Sequence, residues 1–324
     1  MSSTSLAIQA EHIRKAYASY IAVHDVSLRV PSGSVFGLLG PNGGGKTTTI
    51  RMLLNLMLPD SGRIEILGRP ANDASLVNRL GYLPEERGLY RKMEVRRVLR
   101  FLARLKGLTS READRRIDSW IERFTLPGQR QDWDRAKVEE LSRGMQQKVQ
   151  FIGTVLHEPE LIVLDEPFSG LDPVNAQALK DTILDLRQQG RTIVFSTHLM
   201  DVAERMCDAV AIVNRGQVVL EGTLRDVKAG HHGAPQVAVT FDSGSGDQAR
   251  AVFADRTLVA EIDHHGNHLE ITLADGVTSQ MLLERLVTAG VPIARFDRLE
   301  PSLHQIFLQR VGASGVETGM SGHG

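Results

Sequence analysis

One eight-residue stretch limits this chain more than any other: Gly40-Pro41-Asn42-Gly43-Gly44-Gly45-Lys46-Thr47, set between the apolar run SVFGLLG and the helically periodic TTTIRMLLNLML. It fits the pattern G-x-x-x-x-G-K-[ST], whose glycines let successive backbone N–H groups converge on phosphate oxygens. In such a loop Lys46 supplies positive charge to the β- and γ-phosphates, the Thr47 hydroxyl can ligate Mg²⁺, and Thr48 follows in the helix. The helix itself adds the positive end of its dipole. In a 324-residue chain with 30 glycines the pattern arises by chance on the order of 0.01 times. The chain must therefore build a strand–loop–helix unit of an α/β fold that grips nucleotide phosphates.

The surrounding pattern agrees. Short β-type runs alternate with turns from Leu6 to Gly68. After the loop, residues 86 to 148 carry 17 Lys/Arg against 10 Asp/Glu, with amphipathic repeats in MEVRRVLRFLARLKG and SREADRRIDSWIERF. This stretch is expected to be a helical insertion. Strands and helices then alternate again through LIVLD, a helix from Pro173 to Gln189, RTIVFST, a helix from His198, DAVAIVN and a hairpin turning at Arg215-Gly216. That order predicts a mostly parallel sheet with helices on both faces. Near Gly230 the pattern breaks, and QVAVTFD, TLVAEID, HLEITLA, a helix around SQMLLERLVTAG, VPIARFD and a last helix predict a second, α+β domain. The expected limits are 6–230 for the first domain, with its helical part at about 86–156, then 235–311 for the second, and a Gly/Ser-rich disordered tail over 312–324.

Composition removes several classes of function. Formal charge is −1, so no basic field advertises nucleic acid or an anionic membrane. No apolar run reaches the roughly 18 residues of a bilayer span, and the first residues lack the basic start and apolar core of a secretory signal. A single cysteine, Cys207, reads as a packed thiol.

A second chemical motif is Leu161-Ile162-Val163-Leu164-Asp165-Glu166, an apolar strand ending in two carboxylates. Ligands of open α/β sheets sit beyond the carboxyl ends of strands, so Asp165 is placed to reach Mg²⁺ and Glu166 to polarise an attacking water. Leu141-Ser142-Arg143-Gly144-Met145-Gln146 opens a helix, with Ser142 lying 23 residues before Asp165; Ser169-Gly170-Leu171-Asp172 follows, and Ser196-Thr197-His198 places its histidine 33 residues after Asp165. Taken in this order, the stretches resemble the LSGGQ signature, D-loop and switch histidine of ABC ATPases. The resemblance covers residues 6 to about 228, a whole nucleotide-binding domain.

The resemblance implies a phosphate-loop NTPase of ABC type with a helical signature subdomain, binding ATP and Mg²⁺. Two such domains would dimerise head to tail, as a homodimer or heterodimer. Each ATP would then lie between the phosphate loop of one chain and Ser142, Arg143, Gly144 and Met145 of the other, with Asp172 alongside. His198 would hold the γ-phosphate, and Tyr17 matches the aromatic that stacks on adenine. Where the family usually has glutamine after the strand that follows the phosphate-loop helix, GYLPEERGLY offers Glu85, or Glu86 in a shifted register; a residue there would contact Mg²⁺ and relay nucleotide state. This context and the C-terminal domain are similar to the sodium- and drug-exporter branch. The implied function is an ATP-hydrolysing motor subunit of an exporter, cytoplasmic and held to the inner face of the cell membrane by a separate transmembrane permease subunit. A soluble relative acting on ribosomes or another non-transport target is the alternative. His231-His232 and the histidines of 264–268 lack metal-ligand spacing and are expected in solvated loops.

Overall fold

The computed structural model describes residues 5–86, 88–125, 133–230, 234–241, 246–265 and 268–315. The chain divides into two compact units at Leu224/Arg225, the second running to Ala313. The division precedes the boundary expected near Gly230 because the last rung of the first unit's sheet is Thr223 on Ala209.

The first unit begins with strands β1 (Leu6–Tyr17), β2 (Tyr20–Pro31) and β3 (Val35–Leu39), then helix α1 (Lys46–Leu53). Strands β4 (Ser61–Ile66), β5 (Arg69–Pro70) and β6 (Leu80–Leu83) follow, then the helices α2 (Val95–Leu105), α3 (Ser110–Phe124) and α4 (Arg143–Val155). The remainder is β7 (Leu161–Asp165), α5 (Pro173–Gln188), β8 (Thr192–Thr197), α6 (Met200–Met206), β9 (Ala209–Asn214) and β10 (Gln217–Thr223).

Ten strands form one sheet in the order β5-β4-β1-β2-β10-β9-β3-β8-β7-β6. The five from β9 to β6 are mutually parallel. Strands β3, β7 and β8 are buried at every residue, which is why they read as unbroken apolar runs: helices cover both faces of a parallel sheet. The other end departs from the parallel expectation. Strands β5, β4, β1 and β2 pair antiparallel, and β10 returns antiparallel to β9. In β2 the buried Val26, Leu28 and Val30 alternate with exposed neighbours, the period-two signature of a sheet face. The β9–β10 hairpin turns at Arg215 (φ 48°) and Gly216 (φ 72°), the left-handed pair that a two-residue hairpin loop requires.

The helical insertion packs through Val95, Val98, Leu99 and Ala103 of α2 and Ala113, Ile117, Ile121 and Phe124 of α3. Phe151 of α4 meets Phe124 edge-on at 5.9 Å. Helix α6 starts two residues later than expected, since the Thr197 hydroxyl accepts the Leu199 N–H at 3.0 Å and holds that residue outside the helix. Among the described residues no helix is long and apolar enough to cross a membrane.

Beyond the division come α7 (Leu224–Ala229), which spans it, then β11 (Gln236–Phe241), α8 (Gly246–Phe253), β12 (Val259–His265), β13 (His268–Leu273), α9 (Ser279–Thr288), β14 (Ile293–Leu299) and α10 (Leu303–Gly315), whose last two residues fall outside the second unit. Its sheet order is β12-β13-β11-β14 with every neighbour antiparallel, a β-α-β-β-α-β arrangement. Val237, Val239, Ile271, Leu273, Leu282 and Leu286 are its fully buried centre. Helix α8 has no counterpart in the sequence reading. Helix α10 continues to Gly315, past the expected start of the tail; residues 316–324 lie outside the described residues. His264 and His268 lie in paired strands rather than a loop, and no group of three metal-ligating side chains forms among the described residues. His231 and His232 lie outside them.

Candidate active site

The phosphate loop is fixed by close backbone packing. Gly40 turns out of β3 with φ 147°, and a Cβ there would lie 2.0 Å from the Val213 carbonyl oxygen of β9. Gly45 ends the loop at φ 105°, where a Cβ would lie 2.7 Å from the Ala22 oxygen. Only glycine satisfies both the torsion and the space. The Gly216 N–H donates to Gly44 O at 2.9 Å, and the His24 N–H donates to Gly216 O at 2.8 Å, so the β9–β10 turn ties the loop to β2.

Lys46, 6% exposed, donates from Nζ to Gly40 O at 2.8 Å and Pro41 O at 3.2 Å. Its Nζ is also 3.4 Å from Glu166 Oε1. Glu166 follows the last residue of β7 with φ 47°, a left-handed torsion that costs a non-glycine residue about 1 kcal/mol or more. Its N–H donates to Ser196 Oγ at 2.9 Å. Ser196 in turn donates to Asp165 Oδ1 at 2.5 Å, and Thr47 Oγ1 donates to the same oxygen at 3.3 Å. His198 stands with Nδ1 3.1 Å from Glu166 Oε2.

Asp165 is fully buried, and burial holds its carboxyl above the usual carboxylate range against the opposing hydrogen bonds of Ser196 and Thr47. Asp165 Oδ2 is buried with no hydrogen-bond partner among the described residues. A hard divalent cation beside the Thr47 hydroxyl would give that orphaned oxygen a partner and stabilise the charged carboxylate, so the donor set fits Mg²⁺.

The loop opens on a cleft of about 730 Å³ whose lining includes Asn42, Gly43, Gly44, Gly45, Lys46, Thr47 and Thr48, together with Glu166 and Glu85. Of the two glutamates left open by sequence, Glu85 is the one that lines it. Tyr20, Ile21, Ala22, His24 and Arg215 complete the wall; none of the five was read from the sequence as a site residue, because tertiary folding of β2 and of the β9–β10 turn brings them to the loop. Tyr17 is not in the lining. It stacks on Tyr20 with ring centroids 5.2 Å apart, and its hydroxyl contacts Met57 Sδ at 3.3 Å.

The signature residues stand elsewhere. Ser142 caps α4 by accepting the Met145 N–H at 3.3 Å, Arg143 is exposed and the Met145 side chain is buried. Asp172 caps α5 by accepting the Val174 and Asn175 N–H groups. A Cβ on Gly144 would meet Asn175 Nδ2 at 3.0 Å, so the two caps adjoin. None of Ser142, Arg143, Gly144, Met145 and Asp172 lines the cleft that holds Lys46.

Residues 23–169 match the ABC transporter family, and residues 222–311 match the C-terminal domain of DrrA1-3-like ATP-binding proteins. The uncharacterized ABC transporter ATP-binding protein YhaQ of Bacillus subtilis (strain 168) is 43% identical over 303 residues, 94% of this chain and 98% of that protein. The chain belongs to the ABC transporter ATP-binding proteins. Within that family the Nod factor export ATP-binding protein I of Rhizobium sp. (strain N33) is 32% identical over 95% of this chain and 98% of that protein. A solved structure of the ATP binding subunit of an ABC transporter superposes with a TM-score of 0.63 at 33% identity, covering 70% of this chain and 93% of the other. As a member of the family the chain is an ATPase that hydrolyses ATP to power transport. Such domains bind ATP, with Mg²⁺ generally needed, and are typically partnered by separate transmembrane subunits.

Proposed function

We propose that this ABC ATP-binding protein is the motor subunit of an exporter, working as a head-to-tail dimer that drives a separate transmembrane permease and is held by it to the inner face of the membrane. The export-type relative supports the direction of transport. The division of the site supports the dimer, and it is the observation that carries the reading: residues 42–48 of the phosphate loop and Glu166 line one cleft, with the buried Asp165 accepting from Thr47 of that lining, whereas Ser142 and Gly144 stand at a helix start outside it.

Each side chain then has a role its surroundings suit. Lys46 and the loop N–H groups hold the β- and γ-phosphates, and Tyr17 backs the base through Tyr20. Thr47, Asp165 and Glu85 would hold Mg²⁺, which supplies charge neutralisation on the phosphates. Glu166 accepts the proton of the attacking water, and His198, already beside that carboxylate, orients the water and the γ-phosphate. Ser142 and the exposed start of α4 meet the partner's γ-phosphate, where a helix N-terminus favours an anion; Arg143, Gly144, Met145 and Asp172 shape that face.

Glu166→Gln tests the assignment. An amide cannot take the proton, so turnover falls by about 10² to 10⁴ while ATP binding persists. Light scattering with MgATP is expected to show a dimer accumulating. Near-normal hydrolysis, or a variant that stays monomeric with ATP bound, contradicts the reading.

A further inference from the structure

Helix α4 buries a polar stripe that no step of the nucleotide chemistry uses. Gln147, Gln150 and Thr154 recur at spacings of three and four, so they share one face of the helix, and all three are under a tenth exposed. A face so deeply covered is ordinarily apolar. Each of these side chains instead reaches the backbone of another segment. Gln147 Nε2 donates to Pro167 O, in the turn after Glu166, at 3.2 Å. Thr154 Oγ1 donates to Tyr82 O of β6 at 3.2 Å. Gln150 Nε2 donates to Pro84 O at 3.2 Å and to Glu86 O at 3.1 Å.

The two carbonyls held by Gln150 bracket Glu85, the exposed acid of the loop after β6 that lines the nucleotide cleft. A backbone carbonyl can only accept, so both partners face the amide nitrogen, whose two protons are spent on this one loop. Gln150 Oε1 is left buried with no hydrogen-bond partner among the described residues. A buried acceptor without a partner is costly, so packing alone does not account for an amide at this position. We infer that Gln150 is a positioning residue for Glu85: by pinning the backbone on either side of the acid, it sets the direction in which the carboxylate enters the cleft. This role presupposes the proposed place of Glu85 beside Mg²⁺. A group that orients a metal ligand governs metal affinity without touching the metal.

Two measurements on the full chain test it. In protein free of nucleotide and metal, a nitroxide is attached through Glu86→Cys, Cys207 being buried away from the label. Gln150→Met keeps the length of the side chain and removes both donors. Its nitroxide spectrum is expected to sharpen, reporting a looser loop, while Thr154→Val, which cuts the bond to β6, leaves the spectrum unchanged. The second measurement is the Mg²⁺ concentration for half-maximal ATPase, expected to rise about tenfold in Gln150→Met and not in Thr154→Val. Turnover of Gln150→Met is expected to recover at saturating Mg²⁺, which a general loss of packing would not allow. The double variant Glu85→Gln/Gln150→Met is expected to need no more Mg²⁺ than Glu85→Gln alone, because no carboxylate is left to position. Gln150→Asn, one methylene too short to reach both carbonyls, replaces the methionine variant if that protein does not fold. An unchanged spectrum or Mg²⁺ requirement in Gln150→Met, or effects that multiply in the double variant, overturns the inference while Glu85 stays the ligand. An unchanged Mg²⁺ requirement in Glu85→Gln overturns the reading of Glu85 itself, and the inference with it.

Discussion

The phosphate-loop cleft and the start of the signature helix use similar parts in opposite ways. In the cleft the charged groups are taken out of water: Lys46 and Glu166 are under a tenth exposed and Asp165 is fully buried. Their positions are enforced by a left-handed glutamate, by glycines with no room for a Cβ, and by Ser196 bridging Asp165 to the Glu166 N–H. At the signature, Ser142 and Asp172 are exposed and cap their own helices, Asp172 also accepting from the Asn175 side-chain amide. One region is built to hold a charge distribution that is costly to assemble; the other is the helix-start face that, in the proposed function, a second copy uses.

The comparison can be broken first at its strongest point. Lys46→Ala leaves two buried carboxylates without their cation and the phosphates without their side-chain charge. ATP affinity is expected to fall by about two orders of magnitude or more, read by titration with a fluorescent ATP analogue while the thermal transition certifies the fold. Undiminished affinity would mean that the cleft is not the nucleotide site.

Glu85 sharpens the comparison, because it brings a second carboxylate to the lining of a cleft that Glu166 already faces, with Asp165 buried behind Thr47. A charged oxygen binds Mg²⁺ more strongly than an amide oxygen but also repels the γ-phosphate, so the effects partly cancel in ATP affinity. Glu85→Gln is expected to change ATP affinity by less than about tenfold and to raise the Mg²⁺ concentration needed for half-maximal turnover. An unchanged Mg²⁺ dependence would reduce Glu85 to an acid on the cleft wall.

The smallest effect lies away from both regions. His157 follows α4, with Nε2 2.9 Å from Leu80 O, and burial pushes its imidazolium down to about 4 from 6.5. The unfolded chain takes up this proton first, so the stability tied to the neutral ring is complete above about pH 6.5 and is lost as pH falls to about 4. His157→Gln is expected to flatten the decline of melting temperature across that window. A decline as steep as in the wild type would show that other groups govern it.

Much of this was legible in the sequence, and for physical reasons. Strands β3, β7 and β8 announce themselves because both of their faces are covered, and the phosphate loop because glycine and lysine at fixed spacing have few other uses. What escaped depends on tertiary approach. Tyr20 rather than Tyr17 lines the cleft, although the two rings stack at the end of the same hairpin and the local sequence does not separate them. Arg215 was visible as a hairpin turn, yet nothing local says that this turn bonds to Gly44. Ser196 lay in a stretch read for its histidine, while its hydroxyl bridges the two acidic residues. Helix α8 is eight residues long and opens on Gly246, with too few apolar positions for a helical period to stand out.

The central claim is that each nucleotide site is shared by two chains, and mixing two inactive variants tests it most directly. Lys46→Ala spoils the cleft and leaves the signature intact; Ser142→Arg spoils the signature and leaves the cleft intact. Steady-state ATPase is measured for each variant alone and for an equimolar mixture. In a head-to-tail dimer of the two, one site combines both defects and the other combines the intact cleft of one chain with the intact signature of its partner. The account predicts that the mixture hydrolyses ATP at a rate neither variant reaches alone. A mixture no more active than its components, with heterodimers shown to form, would contradict it.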